Sequence, residues 1–322
     1  MPPARAALLI LWAACVPAVG SASDYPVKPV RLVVGTPAGD SADLVARRIA
    51  PALTRFFRHP FIVDNHAGAM GNLAAARVAK APADGHTLLV VSASFATNIS
   101  IYPDLSYHPE RDFAPVARVA VYPLVLVVHS ALDARTLAEF ASLVRASPGR
   151  VTIASAGTGT TSHLAAELFK MRAGWLNALH VPYKGNPQAL AGLMGEHVNA
   201  LIAPVASAHP HVRTGRLRAL AVASLKRVDP LADVPTFAES GFPGFEAAAW
   251  SGVVAPRGSP YDTVVRLNIA IGETMTSLLM REPLSAQAAA PVHEPPERFR
   301  DYLHAEVEKW ARVAKAAGVG VE

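Results

Sequence analysis

The stretch with the richest chemistry is SAGTGTTSH, residues 155–163, which follows a short β-branched run and precedes an apolar helical pattern. Its glycines allow a close approach of the backbone to a ligand, and amide groups at a helix start attract anions. The stretch contains no lysine, which excludes a P-loop. We interpret it as a neutral cradle that suits a carboxylate better than a phosphate. An ordinary turn with a helix N-cap is the simpler alternative.

Nucleophilic catalysis is a second use for the same residues, with Ser155, Thr160 or Ser162 as nucleophile and His163 as base. No Gly-x-Ser-x-Gly motif is present. Ser162 and His163 are adjacent at a predicted helix start, where neighbouring side chains diverge by about 100°. This geometry argues against the pair as catalytic residues. A distant His or Asp could still complete a triad, so a secreted serine-type hydrolase remains the alternative.

GTPAGDSAD, residues 35–43, is a second loop between a strand pattern and a helix pattern. It has neither Gly-x-Gly-x-x-Gly nor Gly-Lys-Ser/Thr, which excludes the common dinucleotide and nucleotide motifs. We expect Asp40 to be the helix N-cap and Asp43 to occupy the third helical position, where carboxylates suit the positive end of the helix dipole.

Few other residues suggest chemistry. Lys184, in VPYKG, could pair with a ligand carboxylate or simply be a solvated loop charge. The HPH motif at 209–211 fits a surface turn better than a metal site, and Trp250 fits the core better than a cleft wall. We therefore predict no catalytic residues, no metal and no cofactor.

Composition limits the class of protein. The chain has 322 residues, 51% of them hydrophobic, which is enough for two globular units. Its formal net charge of +5 is spread without a run of Lys or Arg, which argues against nucleic-acid binding. We expect a monomer that is not inserted in a membrane.

Residues 1–22 have the pattern of a cleaved secretory signal peptide: a charged start, an apolar run and small residues. We therefore expect export to the periplasm. The single cysteine, Cys15, lies in this segment, so the mature chain would have no thiol. Lipid anchoring through Cys15 is the alternative, although the usual branched apolar residue before the cysteine is missing.

Strand and helix patterns alternate along the rest of the chain, which predicts an α/β fold of parallel strands with crossover helices. Ligands bind such sheets outside the carboxyl ends of their strands. Five Gly-rich or hydroxyl-rich turns follow predicted strands, and we expect them to converge on one cleft. They are residues 35–43, 65–72, 92–98, 154–163 and 183–186.

Eight ordered segments resemble one family. KPVRLVVGTPAGDSADLVAR, VDNHAGAMGNLAAARVAKAPADGHTLLV, YHPERDFAPVARV, ASAGTGTTSHLAAELFK, VPYKGNPQALAGLMGEHV, GRLRALAVAS, DVPTFAESGFPGFE and the VVRLN helix resemble, in order and spacing, the Bug-type periplasmic receptors of tripartite tricarboxylate transporters. The resemblance implies a two-lobe periplasmic-binding-protein fold of the second type, a Venus flytrap. It also implies a receptor that captures a small organic carboxylate and delivers it to membrane permease subunits or a sensor kinase.

The resemblance also implies the ligand-binding positions, which come from loops of both lobes. These positions are Thr36, Pro37, Ala38, Gly39, Gly68, Gly71, Asn72, Ser92, Ser94, Gly157, Thr158, Gly159, Thr160, Thr161, Ser162, His163, Tyr183, Lys184 and Gly185. For the lobes we expect 24–121 with 223–322 in the first and 122–222 in the second.

The chain departs from the family pattern in its loops. Thr36 stands where the family usually has an aromatic residue, Asp40 where it has glycine, and Met70 where it has the first of two glycines. Ala203 and Pro204 replace a typical Asp-Asn pair. If that Asp meets an ammonium group in relatives, this chain should prefer carboxylates without an amine. A purely sensory role is a further alternative to transport.

Overall fold

The computed structural model describes residues 25–320, so the predicted signal peptide and Cys15 lie outside the described residues. The strands are β1 (Val30–Val34), β2 (Phe61–Asn65), β3 (Thr87–Ser92), β4 (Phe113–His129), β5 (Thr152–Ser155), β6 (Leu179–Pro182), β7 (Ala200–Pro204), β8 (Leu217–Val222), β9 (Ala248–Pro256) and β10 (Ala290–Pro291). The helices are α1 (Ser41–Phe57), α2 (Asn72–Ala79), α3 (Ser94–Ile101), α4 (Leu137–Ala146), α5 (Thr161–Arg172), α6 (Asn186–Met194), α7 (Val205–Arg213), α8 (Tyr261–Thr276), α9 (Leu278–Ala286) and α10 (Pro296–Ala317).

The sheet is mixed and has the order β2-β1-β3-β9-β4-β7-β5-β6, with β8 and β10 also paired to β4. β1 is parallel to β2 and β3, and β5 is parallel to β6 and β7. β4 and β9 run antiparallel to their neighbours. The predicted α/β class is confirmed, with two parallel groups of strands separated by antiparallel ones.

The long strand β4 connects the two parallel groups. Its residues Phe113 to Pro123 pair with β9, whereas Leu124 to His129 pair with β7 and β8. We call β1, β2, β3, β9, β10 and the first part of β4 the first sheet region, and β5–β8 with the rest of β4 the second. The carboxyl ends of the parallel strands in each region carry the candidate loops.

Helix α1 shows why these segments fold as predicted. Asp40 caps it by accepting a hydrogen bond from the amide of Ala42, as expected. Val45, Ile49 and Leu53 form a stripe at helical spacing that is buried against the first sheet region.

Two local predictions were wrong. The apolar helical spacing of residues 261–281 predicts one continuous helix, but the helix is interrupted at Ser277, whose extended backbone (ψ 156°) separates α8 from α9. The HPH motif at 209–211 lies within α7 and not in a turn. Trp250 is 1% exposed and belongs to the core, as predicted.

The segment between β8 and β9 packs with the second sheet region. Phe237 stacks on Phe245 with ring centroids 4.1 Å apart and meets Phe169 of α5 edge-on. Ala223 donates a backbone hydrogen bond to Leu124. Residues 223–247 therefore share the apolar core of the second region.

Within residues 25–320, no helix has both the length and the apolar character needed to cross a membrane.

Candidate functional site

The first sheet region contributes a small cavity at the carboxyl ends of β1 and β3. Four predicted positions line it, namely Thr36, Gly71, Ser92 and Ser94, together with Met70. The hydroxyls of Ser92 and Ser94 lie 2.8 Å apart, and that of Ser94 donates to the carbonyl of Met70 at 3.1 Å. The buried Thr36 hydroxyl finds no hydrogen-bond partner in the described part of the chain. The Thr36 hydroxyl is therefore available beside this cavity as a hydrogen-bond donor.

The rim of the first loop consists of Pro37, Ala38 and Gly39, which are exposed. The Asp43 carboxylate, only 1% exposed, accepts hydrogen bonds from the Gly39 amide at 2.8 Å and from Asn65 Nδ2 and Arg47 Nε at 2.9 Å. Burial disfavours ionisation of this carboxyl, but the three hydrogen bonds outweigh it and lower the pKa of Asp43. Asp43 thus fixes the loop and occupies the Gly39 amide.

Asn72 has a supporting position. It begins α2 and is 9% exposed, and its Oδ1 accepts hydrogen bonds from the Asn98 amide at 2.5 Å and the Tyr107 hydroxyl at 2.8 Å. Gly68 precedes the short 3-10 turn Ala69–Gly71 with φ 147°, and a Cβ there would lie 2.6 Å from Leu73. Both residues shape the second loop.

The second sheet region contributes residues 155–163, which we call the cradle loop. Thr160 is the N-cap of α5. The amide of Ala156 donates to Ser162 Oγ at 2.9 Å, that of Gly157 to Ser155 Oγ at 3.1 Å, and that of Gly159 to His163 Nδ1 at 3.0 Å. These three amides are therefore occupied inside the protein and cannot donate to a ligand.

Three other amides of the cradle loop remain for a ligand. Among the described residues, the backbone N–H groups of Thr158, Thr161 and Ser162 have no hydrogen-bond acceptor. Thr161 and Ser162 are the first two residues of α5, where the helix dipole favours an anion. The arrangement can hold a carboxylate with neutral donors.

The cradle loop contacts helix α3 and the turn that follows β6. A Cβ at Gly159 would lie 2.9 Å from Cδ1 of Ile101, in α3, and one at Gly157 would lie 3.4 Å from the carbonyl oxygen of Tyr183. The Tyr183 hydroxyl packs against Gly192 of α6. Lys184 is exposed, and its amide donates to Gln188 at 3.3 Å, next to Gly185. The cradle loop therefore packs against α3, which follows β3, and the convergence of the five turns on one cleft stays a prediction.

The geometry does not support the hydrolase alternative. The Ser162 hydroxyl is bonded to Thr160 and the Ala156 amide, whereas His163 is bonded to the Gly159 amide. Ser155 does approach a histidine, with Oγ 2.7 Å from His180 Nε2, but it is 0% exposed. A substrate could not reach this hydroxyl.

His180 was not among the predicted positions, because it lies on β6, 25 residues beyond Ser155. The register of β5 with β6 sets it opposite Ile153, two residues before Ser155. Its ring stacks on that of His163, with centroids 3.6 Å apart and planes inclined by 10°. Burial and the nearby His163 lower the pKa of His180 to about 4. The one sequence signal was the histidine in NALHVPYKG, just before a predicted site turn.

Ala203 is placed differently from what the family comparison suggested. It is fully buried on β7, in the apolar cluster that contains Val125 and Leu190. Its side chain therefore does not line the cleft in this structure. The expected preference for ligands without an amine stays a prediction, and the position of Ala203 does not support it.

Over residues 25–320, no group of three or more His, Cys, Asp or Glu side chains is arranged to hold a metal ion. The donors at the site are amides and hydroxyls.

Several known proteins are similar to this chain in fold and in sequence. The family model of the tripartite tricarboxylate transporter family receptor (TctC) matches residues 45–319. Protein BugT of Bordetella pertussis is 37% identical over 300 residues, covering 92% of each chain. The structure of Rpa4515 of R. palustris with adipate is 36% identical and covers 92% of this chain and 100% of its own, with a TM-score of 0.78.

MatC of Rhodopseudomonas palustris, solved with bound malate, is 32% identical and covers 90% of this chain and 99% of its own, with a TM-score of 0.74. The family consists of solute-binding receptors and not of enzymes. The chain therefore belongs to the tripartite tricarboxylate transporter receptor family, the family that its ordered sequence motifs resemble.

Proposed function

We propose that this protein is an extracytoplasmic receptor that captures a small organic carboxylate between its two sheet regions. The observation that carries the proposal is the cradle loop, in which the amides of Thr158, Thr161 and Ser162 are free of protein acceptors at the start of α5. Such donors bind an anion reversibly, because no covalent step and no cation are involved.

The first sheet region supports the same assignment. Its cavity presents the buried Thr36 hydroxyl and the Ser92–Ser94 pair. A second oxygen-rich end of the ligand would find hydroxyl donors there. Lys184 is the lysine among the predicted site positions, and its exposure fits an electrostatic role at the entrance better than a direct bond.

Two relatives suggest the probes. Rpa4515 was solved with adipate and MatC with malate, both of which are dicarboxylates. A ligand with a carboxylate at each end could place one in the cradle loop and the other at the Thr36 cavity. We infer that this protein takes a ligand of that class.

Binding would act through closure of two lobes. The ligand makes more contacts when both regions surround it, which shifts the population toward the closed form. The lobe boundaries, 24–121 with 223–322 for the first lobe and 122–222 for the second, remain a proposal. The packing of Phe237 and Phe245 on Phe169 favours a return of the chain to the first lobe at about residue 247 instead of 222.

We further propose that the protein is monomeric, reaches the periplasm through its N-terminal signal peptide and passes its ligand to membrane permease subunits. Delivery to a sensor kinase is the alternative partner. Deleting the gene separates the two, because loss of carboxylate uptake supports transport, whereas an altered transcriptional response with normal uptake supports sensing.

A thermal-shift panel tests the ligand class. Adipate, malate, a tricarboxylate, an aromatic acid and an amino acid are titrated against the mature protein. One or more carboxylates should raise the free energy of unfolding by RT ln(1 + [L]/Kd), which raises the melting temperature. The ligand should be recovered unchanged. A flat response of folded protein to every acid would contradict the proposal, and turnover of an ester would favour the hydrolase.

A further inference from the structure

The stacked histidine pair lies at the base of the cradle loop and joins its two ends. On the strand side, Ser155 Oγ lies 2.7 Å from His180 Nε2 and 3.1 Å from both the amide nitrogen and the carbonyl oxygen of Gly157. On the helix side, His163 Nδ1 accepts the Gly159 amide at 3.0 Å. The two rings are in contact, with centroids 3.6 Å apart.

These bonds determine the shape of the loop. Gly157 and Gly159 have positive φ angles, 136° and 77°, so their amides point where a regular turn would not place them. Ser155 and His163 hold those two amides, which directs the intervening Thr158 amide away from them. The free donors of the loop thus depend on the histidine pair.

The hydrogen bond from Gly159 requires a neutral imidazole at His163. Because Nδ1 of His163 accepts a hydrogen bond, it carries no proton, and the N–H of this ring is on Nε2, 3.7 Å from Glu167 Oε1. A proton added to His163 would occupy Nδ1 and remove the acceptor of the Gly159 amide. The bond between Ser155 and His180 sets no such limit, because the Ser155 hydroxyl can donate to the Gly157 carbonyl at 3.1 Å while its oxygen accepts from His180 Nε2.

We propose that Ser155, His163 and His180 are positioning residues for the cradle loop, and that uptake of one proton by the stacked pair loosens the loop and weakens ligand binding in mild acid. The proposal rests on the proposed function, because it takes the cradle loop as the ligand site. Two charges at this ring separation repel strongly, so the pair takes up one proton far more readily than two.

The surrounding charges are few. On α5, Glu167 lies near His163 and is paired with Lys170 at 2.8 Å. Their effects on His180 oppose each other, since Glu167 favours the imidazolium and Lys170 disfavours it. Helix α3 places the apolar Ile101 beside the loop. The pair is therefore largely buried, and Glu167, which is shared with Lys170, is the carboxylate beside it.

Hydrogen exchange of the ligand-free mature protein tests the positioning role directly. Protection of the Gly157 and Gly159 amides, corrected for intrinsic exchange, should be high at about pH 7.5 and lower at about pH 5. His163→Asn keeps an acceptor near the position of Nδ1 without a titrating ring, so protection should be independent of pH. His163→Ala should lose protection at both pH values, and His129→Gln should match the wild type.

Calorimetry with adipate and with malate then tests the effect on binding. Each dicarboxylate itself gains a proton as the pH falls to about 5, so the wild type is compared with His163→Asn at each pH. We expect the wild type to lose about tenfold more affinity than His163→Asn between about pH 7.5 and about pH 5. His180→Gln retains the ring of His163 and should keep the pH dependence of the wild type. If His163→Asn does not fold, wild-type loop protection that is unchanged between about pH 7.5 and about pH 5 overturns the proposal.

The results separate the two proposals. Equal pH dependence of loop protection in the wild type and His163→Asn would overturn the positioning role. If the loop behaves as expected but neither dicarboxylate binds at about pH 7.5, the positioning role stands and the proposed ligand class fails.

Discussion

The amide of Gly39 donates a hydrogen bond of 2.8 Å to the carboxylate of Asp43, which closes the first loop onto the first turn of α1. The same carboxylate accepts from Arg47 and Asn65, and Asn65 also donates to the carbonyl of Thr36. A buried acid thus joins the ends of β1 and β2 to the rim of the candidate site.

Replacing Asp43 should loosen this loop. We expect Asp43→Ala to lower the free energy of unfolding by about 2 kcal/mol, because buried donors lose their acceptor. Urea denaturation measures the change. Asp40→Asn is the matched control, since Asn also caps helices and should leave stability within about 0.5 kcal/mol of the wild type.

The contribution of Asp43 should also depend on pH. The folded state lowers the pKa of this carboxyl, so its stabilising effect is complete above the unfolded value, about 3.9, and is lost as the pH falls through the lower folded value. The stability difference between the wild type and Asp43→Asn should therefore shrink in acid below about pH 4. A difference that is constant with pH would show that the charge of Asp43 is unimportant.

Thr36→Val should separate stability from binding. The valine keeps the shape of threonine but removes a buried hydroxyl without a partner, so the ligand-free protein should gain up to about 1 kcal/mol. Affinity for adipate or malate should fall by about tenfold if this hydroxyl donates to the ligand. Thermal melting and calorimetry measure the two effects.

Ser94→Ala is the control for Thr36→Val. Its hydroxyl already bonds to Ser92 and to the carbonyl of Met70, so its removal should lower stability. If both variants shift the melting temperature in the same direction, the hydrogen-bond assignment in this cavity is wrong.

Gly159→Ala should disturb the contact between the cradle loop and α3. Its φ of 77° strains an alanine, and the new Cβ would meet Ile101 at 2.9 Å. We expect a loss of about 1–3 kcal/mol in unfolding free energy. Gly39→Ala has a similar φ, 89°, with open space around the new Cβ, and should lose less.

A double-mutant cycle identifies the steric part of that loss. If Ile101 causes it, Ile101→Ala combined with Gly159→Ala should be more stable than the sum of the single changes predicts. Additive effects would mean that backbone strain alone explains the Gly159 result.

Glu306 anchors α10 to β9 through the indole of Trp250 and also accepts a hydrogen bond from Trp310 within α10. This buried carboxylate accepts Trp250 Nε1 at 3.2 Å and Trp310 Nε1 at 2.9 Å, and it pairs with Lys309. Glu306→Leu leaves both indole donors unsatisfied and should cost about 2–4 kcal/mol. Glu306→Gln retains an acceptor and should cost less, and tryptophan fluorescence during denaturation reports on both variants.

Much of the fold could be predicted from local patterns. The alternation of strand and helix signals indicates the α/β class, and Asp40 marks the start of α1 because its preference for the N-cap is a local property. The break at Ser277 was missed because the apolar helical spacing continues across it, through Met275 and Met280. Packing, not spacing, decided where that helix ends.

The sequence by itself determined the chemistry available at the site: hydroxyls, glycines and helix-start amides, without a lysine in the cradle loop. Only the tertiary structure decided which of those donors are free. It pairs β5 with β6, and so brings His180 to Ser155 and stacks it on His163. Contacts between residues distant in sequence depend on strand register and helix packing, which local residue preferences do not specify.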